Sequence, residues 1–282
     1  MSVDISTPTP TPAPAARMLP SVAKRARVRD QAGRDRLLGI ASPVALLLLW
    51  ELLARVHLID TRFFPAPSSI AATMVRLIAS GVLVSNTLAS LQRLAFGIII
   101  GGVPALALGL MMGLYRPVRA AIDPLIAATY PIPKSAILPL ILLIFGLGEP
   151  SKIAMVAIGM FYPVVINTTV GVQQIQGIYF DVGRNFGANR WQTFTTIALP
   201  GALPFIMTGV KLGVGMGLIL IAIAEMIGAQ SGLGFMIWNA WQILQVNTMY
   251  VGLLTIALIG FALTLILNEI ERRIIPARNE RT

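Results

Sequence analysis

DVGRNFGANRWQTFTTIALP, residues 181–200, is the polar stretch around which the rest of the chain is organised. It separates two long apolar runs, residues 153–172 and 205–227, and it is longer than a simple connection between two membrane spans needs to be. Its apolar residues recur at helical spacing on both sides of Gly187, which predicts two short helical pieces broken at that glycine. Such a mixed apolar and basic helix either docks into a groove of another protein or lies flat on lipid headgroups, and the pattern alone favours neither.

The composition is that of an integral membrane protein. Of the 282 residues, 56% are apolar and only 12% are charged, and the mean hydropathy is +0.77. A soluble domain carries about a quarter charged residues. Apolar runs of the length that crosses a bilayer recur along the chain. They predict six spans, at about residues 37–56, 88–114, 120–145, 153–172, 205–227 and 250–267, and hence an all-α polytopic membrane protein.

The basic residues predict the orientation of these spans. The net charge of +10 lies mostly in tails and loops, as orientation charge does, so it does not indicate a nucleic-acid partner. Both tails, the turn with Arg116 and Arg119, and the loop with Arg184 and Arg190 fall on one side. We therefore expect both termini and the loop 181–200 to be cytoplasmic.

The two ends of the chain differ from its middle. Residues 1–16 are rich in Thr, Pro and Ala and residues 17–36 are basic, so residues 1–36 are predicted to be a disordered cytoplasmic tail. The apolar run that follows is too long for a signal-peptide core and no cleavage site comes after it, so we expect it to stay as an anchor. The membrane domain is predicted over residues 37–275, and residues 276–282 form a second short tail.

Candidate catalytic chemistry is sparse. The chain has no cysteine, and its one histidine, His57, lies at the outer end of the first predicted span with nothing to indicate a catalytic partner. No GxxxxGK[ST] phosphate loop occurs, and no cluster of carboxylates or histidines has metal-ligand spacing. We therefore predict that the chain is not an enzyme and carries neither a cofactor nor a metal.

Two ionisable residues fall inside predicted spans, Lys134 and Glu225. Such a group costs a few kcal/mol or more unless it faces a cavity or a partner. Both are candidates to line a translocation path, where Lys134 would attract an anion. The alternative is that Glu225 lies near the outer interface and that Lys134 extends its ammonium group towards water.

The spacing of the stretch 181–200 resembles the EAA loop of the membrane subunits of binding-protein-dependent ABC importers. That motif reads Glu-Ala-Ala, three residues, Gly, nine residues, Ile, any residue, Leu-Pro. The corresponding positions here are Asp181, Val182, Gly183, Gly187, Ile197, Leu199 and Pro200. The opening triplet departs from the motif, since Asp keeps a shorter carboxylate and the glycine weakens a helix by about 1 kcal/mol.

Two further stretches resemble signatures of the nitrate/sulfonate/taurine group of these permeases. One is residues 133–152, PKSAILPLILLIFGLGEPSK, and the other is residues 224–234, AEMIGAQSGLG. The resemblance extends over about residues 37–275. It implies a type I ABC importer-like permease fold in a bacterial inner membrane.

The resemblance also implies partners and site residues. It implies a second permease copy, two cytoplasmic ATP-binding subunits whose grooves receive the loops, and an extracytoplasmic binding protein that delivers a small, anionic solute. Gly187 would permit the break between helices, and Leu199-Pro200 would end the loop and start the next span. The resemblance places coupling to the ATP-binding subunit on Asp181, Val182, Gly183, Gly187, Arg190, Trp191, Ile197, Leu199 and Pro200.

Two other classes of function stay open on the sequence. An ion-coupled secondary transporter would need inverted repeats and half-helix sites, and the proline-broken third span is one feature of that kind. A membrane scaffold could use the same loop only to recruit a partner. The sequence also does not decide which solute is carried: sulfonates, taurine, nitrate, bicarbonate and heterocyclic precursors are all possible.

Overall fold

The structure, a computed structural model, describes residues 22–275 as helices joined by turns. The helices are α1 (Val22–Arg55), α2 (Pro67–Ala79), α3 (Val82–Leu114), α4 (Arg116–Thr129), α5 (Leu138–Phe145), α6 (Glu149–Gln173), α7 (Gly177–Asn185), α8 (Arg190–Thr193), α9 (Leu199–Met226), α10 (Leu233–Gln242) and α11 (Val246–Ile274). The predicted all-α class is confirmed.

The predicted tails fall largely outside the described part of the chain. Residues 1–21 and 276–282 are not described, whereas the backbone is helical from Val22 onwards, within the segment predicted as a basic tail. α1 contains the first predicted span, residues 37–56, and belongs to a separate unit that ends at Leu58. Residues 41–49 of α1 are exposed, and most of them are apolar.

Four helices in the described residues are long and apolar enough to cross a bilayer: α3, α6, the continuous helix Arg190–Met226 and α11. The predicted third span, residues 120–145, is different, because it is not one helix. α4 ends at Thr129, a 3₁₀ turn follows at Lys134–Ile137, and the helices on either side of the break meet at 87°. Pro131 and Pro133 cause the break because proline has no N–H and clashes with the preceding turn.

Glycines bring α3, α6 and α9 into backbone contact. A methyl group on Gly109 of α3 would lie 2.7 Å from Thr168 Cβ of α6, and one on Gly171 would lie 2.6 Å from Phe205 Cβ of α9. These separations are too short for any side chain larger than hydrogen. The three helices therefore pack closely, as glycine-rich membrane helices do.

The order of these contacts defines two ends of the bundle. Along α3 and α6 the contacts advance together, from Gly97 with Val156 to Gly113 with Val172, so the two helices are parallel. α9 runs antiparallel to α6. We call the end where α6 leads into α7 the elbow end, and the other the far end. Because α4 starts where α3 ends and α5 stops just before α6 starts, the bent pair passes from the elbow end to the far end and is a broken span.

Candidate functional site

The elbow, residues 177–198, comprises α7, α8 and the bend between them. α7 ends at Asn185 in a Schellman motif: the N–H of Gly187 donates to the Arg184 carbonyl (3.0 Å) and that of Ala188 to the Gly183 carbonyl (2.9 Å). This closure requires the left-handed backbone of Gly187, whose φ is +73°. The predicted break at Gly187 is confirmed.

The second helix of the elbow begins with a capping box that the sequence analysis missed. The Asn189 side chain accepts a hydrogen bond from the Gln192 N–H, and the Gln192 side chain accepts one from the Asn189 N–H, both at 2.8 Å. An Asn followed three residues later by Gln is a readable start signal for a helix. Only three residues therefore lie between the end of α7 and this cap.

The next span was predicted to start at Leu199-Pro200, and α9 does begin at Leu199, but no loop separates it from the elbow. α8 and α9 form one continuous helix, Arg190–Met226, through a π-helical turn at Phe194–Ala198. In that turn the Leu199 N–H donates to the Phe194 carbonyl. The helix accommodates Pro200, which lacks an N–H, because the extra residue of a π turn shifts the hydrogen-bond ladder ahead of it. The second piece of the elbow is thus the start of the next span and not a separate short helix.

The surface of the elbow combines apolar and basic side chains. The apolar ones include Tyr179, Val182, Phe186 and Trp191, of which Phe186 is 88% exposed and Trp191 70% exposed. Arg190 is exposed beside them, and Arg184 forms an exposed ion pair with Asp181. Exposed apolar groups of this size rimmed by charge are typical of a contact with another protein or with a membrane surface.

Gly183 lets the two arms of the elbow fold closely together. A methyl group there would lie 2.9 Å from Ile197 Cδ1 and 3.8 Å from Ala188 Cβ. Ile197 and Leu199 are half-buried, whereas Pro200 is exposed. Gly183, the third residue of the triplet, is therefore small enough to lie against the π-helical turn.

The elbow also forms a groove of about 1020 Å³ against the elbow ends of α3 and α6. Its wall includes Leu110 and Leu114 of α3 and Phe194 of the π-helical turn, with Arg184 and Arg190 among its basic residues. The elbow is thus in direct contact with the core of the bundle.

Glu225 lies at the far end and is fully buried. Its carboxylate accepts hydrogen bonds from the Ser90 hydroxyl (2.8 and 2.9 Å), from Arg93 Nη1 (2.8 Å) and from the Gly234 N–H (3.0 Å). The cavity beside it measures about 10 Å³, room for roughly one water. The prediction that Glu225 lines a solute path stays a prediction, and in this structure the residue faces protein partners.

Arg93 joins three segments at the far end. Its Nε and Nη2 bind the two Glu149 carboxylate oxygens at 2.6 and 2.7 Å, and its Nη1 binds Glu225. Nη1 and Nη2 also donate to the carbonyl and hydroxyl of Ser231. All five N–H donors of the guanidinium are used. The sequence analysis missed Arg93, although an ionisable residue inside the predicted span 88–114 was itself a signal.

Lys152 completes this group. It is 2% exposed, and its ammonium donates to the carbonyls of Leu147, Gly148 (3.0 Å) and Gly228 (3.2 Å). It therefore ties the connection before α6 to the connection after α9. We call these residues the charge cluster: Ser90, Arg93, Glu149, Lys152, Glu225 and Ser231.

Lys134 lies at the break in the third span. Its ammonium donates to the carbonyls of Thr129 and Tyr130, both at 3.0 Å, and lies 4.0 Å from the centroid of the Tyr162 ring. The Thr129 carbonyl would pair in a helix with the N–H of residue 133, which is proline. Lys134 thus stabilises the break, and its role in a solute path stays a prediction.

Two further features complete the description of the candidate site. Lys211 of α9 forms an ion pair with Glu271 of α11, and neither residue was singled out from the sequence. Within residues 22–275, no three His, Asp or Glu side chains come together as a possible metal site.

The sequence of this membrane protein places it in a known class. Residues 105–276 match the family described as binding-protein-dependent transport system inner membrane component. The chain belongs to this family, so it is a multi-pass inner-membrane permease of the ABC importer class and a transport component.

The relatives identify the group within that class. The chain is 34% identical over 266 residues to the taurine transport system permease protein of Escherichia coli (strain K12), covering 92% of this chain and 96% of the relative. It is 32% identical over 268 residues to a Bacillus subtilis (strain 168) protein named as an aliphatic sulfonates transport permease, covering 94% and 97%. It is 34% identical over 192 residues to the nitrate import permease protein of Synechocystis, covering 68% and 70%. The resemblance to the nitrate/sulfonate/taurine group is confirmed.

Proposed function

We propose that this chain is the membrane-spanning subunit of an ATP-driven importer and that its elbow receives force from a cytoplasmic ATP-binding subunit. The observation that carries the proposal is the construction of the elbow. Its exposed surface includes Phe186, at the end of α7, and Trp191, which belongs to the same continuous helix as the span that ends at Met226. Displacement of that surface by a bound partner would therefore move the span directly.

The distribution of charge supports a cytoplasmic elbow. Arginines without a matching number of carboxylates gather at the elbow end, at positions 116, 119, 184, 190, 272 and 273. At the far end, within the described residues 59–275, four basic residues (Arg62, Arg76, Arg93 and Lys152) stand against three carboxylates (Asp60, Glu149 and Glu225). Excess basic charge marks the cytoplasmic side of a membrane protein, so both termini would lie on that side as well.

Further partners follow from the family. The transport path would lie between this chain and a second permease copy, and an extracytoplasmic binding protein would deliver the solute at the far end. The relatives are named for taurine, aliphatic sulfonates and nitrate, so we propose a small anion of this kind as the solute. These solutes are small and share negatively charged oxygen atoms, although taurine also carries an ammonium group.

Gly187→Trp tests the role of the elbow in the complex with the ATP-binding subunit and the binding protein in liposomes. A Cβ atom added to Gly187 would have no neighbouring atom within 4 Å, so the indole would project outwards, and the positive φ adds about 1–2 kcal/mol of strain. We expect normal amounts of the variant in the membrane, no stimulation of ATP hydrolysis by the loaded binding protein, and no uptake of taurine, methanesulfonate or nitrate.

Gly81→Trp is the matched control. Gly81 has a φ of +77° and equally open surroundings, but it lies between α2 and α3 at the far end. We expect this variant to keep stimulated hydrolysis. Normal uptake by Gly187→Trp would overturn the coupling role. Uptake without any ATP-binding subunit would instead indicate a secondary transporter, and copurification of the subunits without uptake would indicate a scaffold.

A further inference from the structure

The charge cluster holds together parts of the chain that are far apart in sequence. Arg93 belongs to α3, Glu149 to the first turn of α6 and Glu225 to the last turn of α9. Ser231 lies in the connection between α9 and α10. Every hydrogen bond of the Arg93 guanidinium therefore joins α3 to another segment at the far end.

Burial makes this arrangement costly to disturb. Arg93 is 4% exposed and Glu225 is fully buried. Removing one partner of such a pair leaves an uncompensated charge in a medium that solvates it poorly. The guanidinium has all its donors satisfied in this geometry, so relative movement of α3, α6 and α9 at the far end would break some of these hydrogen bonds, including the buried one to Glu225.

The charge cluster and the elbow are also the two ends of one helix. The helix Arg190–Met226 has 37 residues, which corresponds to about 55 Å. It begins at the capping box of the elbow and carries Glu225 one residue before its end. Between these ends, glycines bring α3, α6 and α9 into close contact, for example Gly109 against Thr168 and Gly171 against Phe205, which leaves little free space to absorb a displacement.

We infer that Arg93 is a positioning residue of the transport cycle: it fastens α3, α6 and α9 at the far end, so that displacement of the elbow is delivered there as movement of one rigid body. This inference rests on the proposed function of the elbow. Glu225 and Lys152 act in the same fastening, Glu225 by binding Arg93 and Lys152 by holding the connections on both sides. In this account Glu225 transmits movement and does not contact the solute.

Arg93→Lys tests the inference in the reconstituted complex. Lysine keeps the positive charge beside Glu225 but has three donors and cannot bind Glu149 with two parallel bonds. The readout is the number of anions imported per ATP hydrolysed, for the anion that the unaltered importer accumulates among taurine, methanesulfonate and nitrate. We expect ATP hydrolysis to continue while uptake per ATP falls about fivefold or more.

Arg62→Lys is the matched control. Arg62 also binds a carboxylate with two bonds, Asp60 at 3.1 and 2.8 Å, but both residues are exposed in one loop. The hydrogen bonds from the Arg62 side chain hold the pKa of the Asp60 carboxyl below its usual value, so this pair is charged at neutral pH as well. Uptake per ATP should be unchanged in Arg62→Lys.

The outcomes separate the inference from the proposed function. If uptake and hydrolysis fall by the same factor in Arg93→Lys, or if neither changes, Arg93 has only a structural role or none, and the inference is overturned while the importer stands. If the unaltered complex shows no ATP-dependent uptake, the proposed function itself fails. Should Arg93→Lys not accumulate in the membrane, Glu149→Gln, which leaves the Glu225 pair intact, must lower uptake per ATP for the inference to hold.

Discussion

The elbow and the charge cluster lie at the two ends of one long helix and use their side chains in opposite ways. In the elbow, backbone hydrogen bonds close the bend and leave side chains such as Phe186 and Trp191 exposed. In the charge cluster, side chains make the bonds, and those of Arg93, Lys152 and Glu225 are buried. The difference teaches that an exposed site is built to bind a partner, whereas a saturated buried site is built to keep its own elements together.

The largest effect should come from breaking the buried site. Glu225→Ala leaves the Arg93 charge without its innermost partner, and loss of one member of a buried pair costs about 3–5 kcal/mol. We expect the melting temperature of the purified subunit in detergent to fall strongly. Glu225→Gln, which keeps the shape and one acceptor, should lose less. Equal melting temperatures for all three proteins would show that the cluster contributes no stability.

The elbow should show the reverse pattern. Phe186→Ala should leave the melting temperature unchanged, because the ring is 88% exposed. It should weaken binding of the ATP-binding subunit by about 2 kcal/mol, roughly thirtyfold, if this ring is an anchor of the contact. Leu143→Ala, at a side chain that is 83% exposed in α5, is the control. Equal affinities for the two variants would contradict the assignment of the docking surface.

A smaller and local effect is expected at the start of α8. Asn189→Ala removes the side chain of the capping box and should cost about 1 kcal/mol of helix stability. Amide hydrogen exchange at Arg190–Thr193 should become faster, with no change in the charge cluster. Asn185→Ala, in the same elbow, serves as the control. Unchanged exchange at these four amides would show that the cap does not hold the helix start.

The smallest effect is expected at the altered triplet. Gly183→Ala restores the alanine of the EAA motif, and the added methyl group meets only the flexible end of Ile197, which can move aside. The gain in helix propensity of up to about 1 kcal/mol offsets this contact. Uptake should stay within about twofold of the unaltered importer. A loss of uptake tenfold or greater would show that the fit of α7 on the π-helical turn is more exacting than the contacts indicate.

Local signals predicted the elbow better than the bundle. The helical spacing on both sides of Gly187 predicts the break because a glycine with positive φ ends a helix through its own backbone. A break in the third span was predicted from its prolines, but its angle of 87° was not, because the direction of the chain after a break depends on Lys134 and on packing against α6. The continuous helix through Pro200 depends on a π-helical turn, for which no local pattern was available.

The charge cluster shows the limit of reading one sequence. Arg93 and Glu225 both stand out as ionisable residues inside apolar runs. Their pairing joins positions that are far apart in the chain, and it follows only from the parallel course of α3 and α6 and the antiparallel course of α9. Without that topology, a path-lining role for Glu225 was an equally consistent interpretation.

Crosslinking from the elbow tests the central claim most directly. The chain has no cysteine, so Asn185→Cys supplies a single thiol at an exposed position of the elbow and leaves the Phe186 ring in place. In intact membranes with the ATP-binding subunit present, the account predicts that a short crosslinker with one maleimide and one succinimidyl ester joins this thiol to a lysine of that subunit. An impermeant maleimide added from outside should not reach the thiol. Labelling from the outside, without any crosslink to the ATP-binding subunit, would contradict the account.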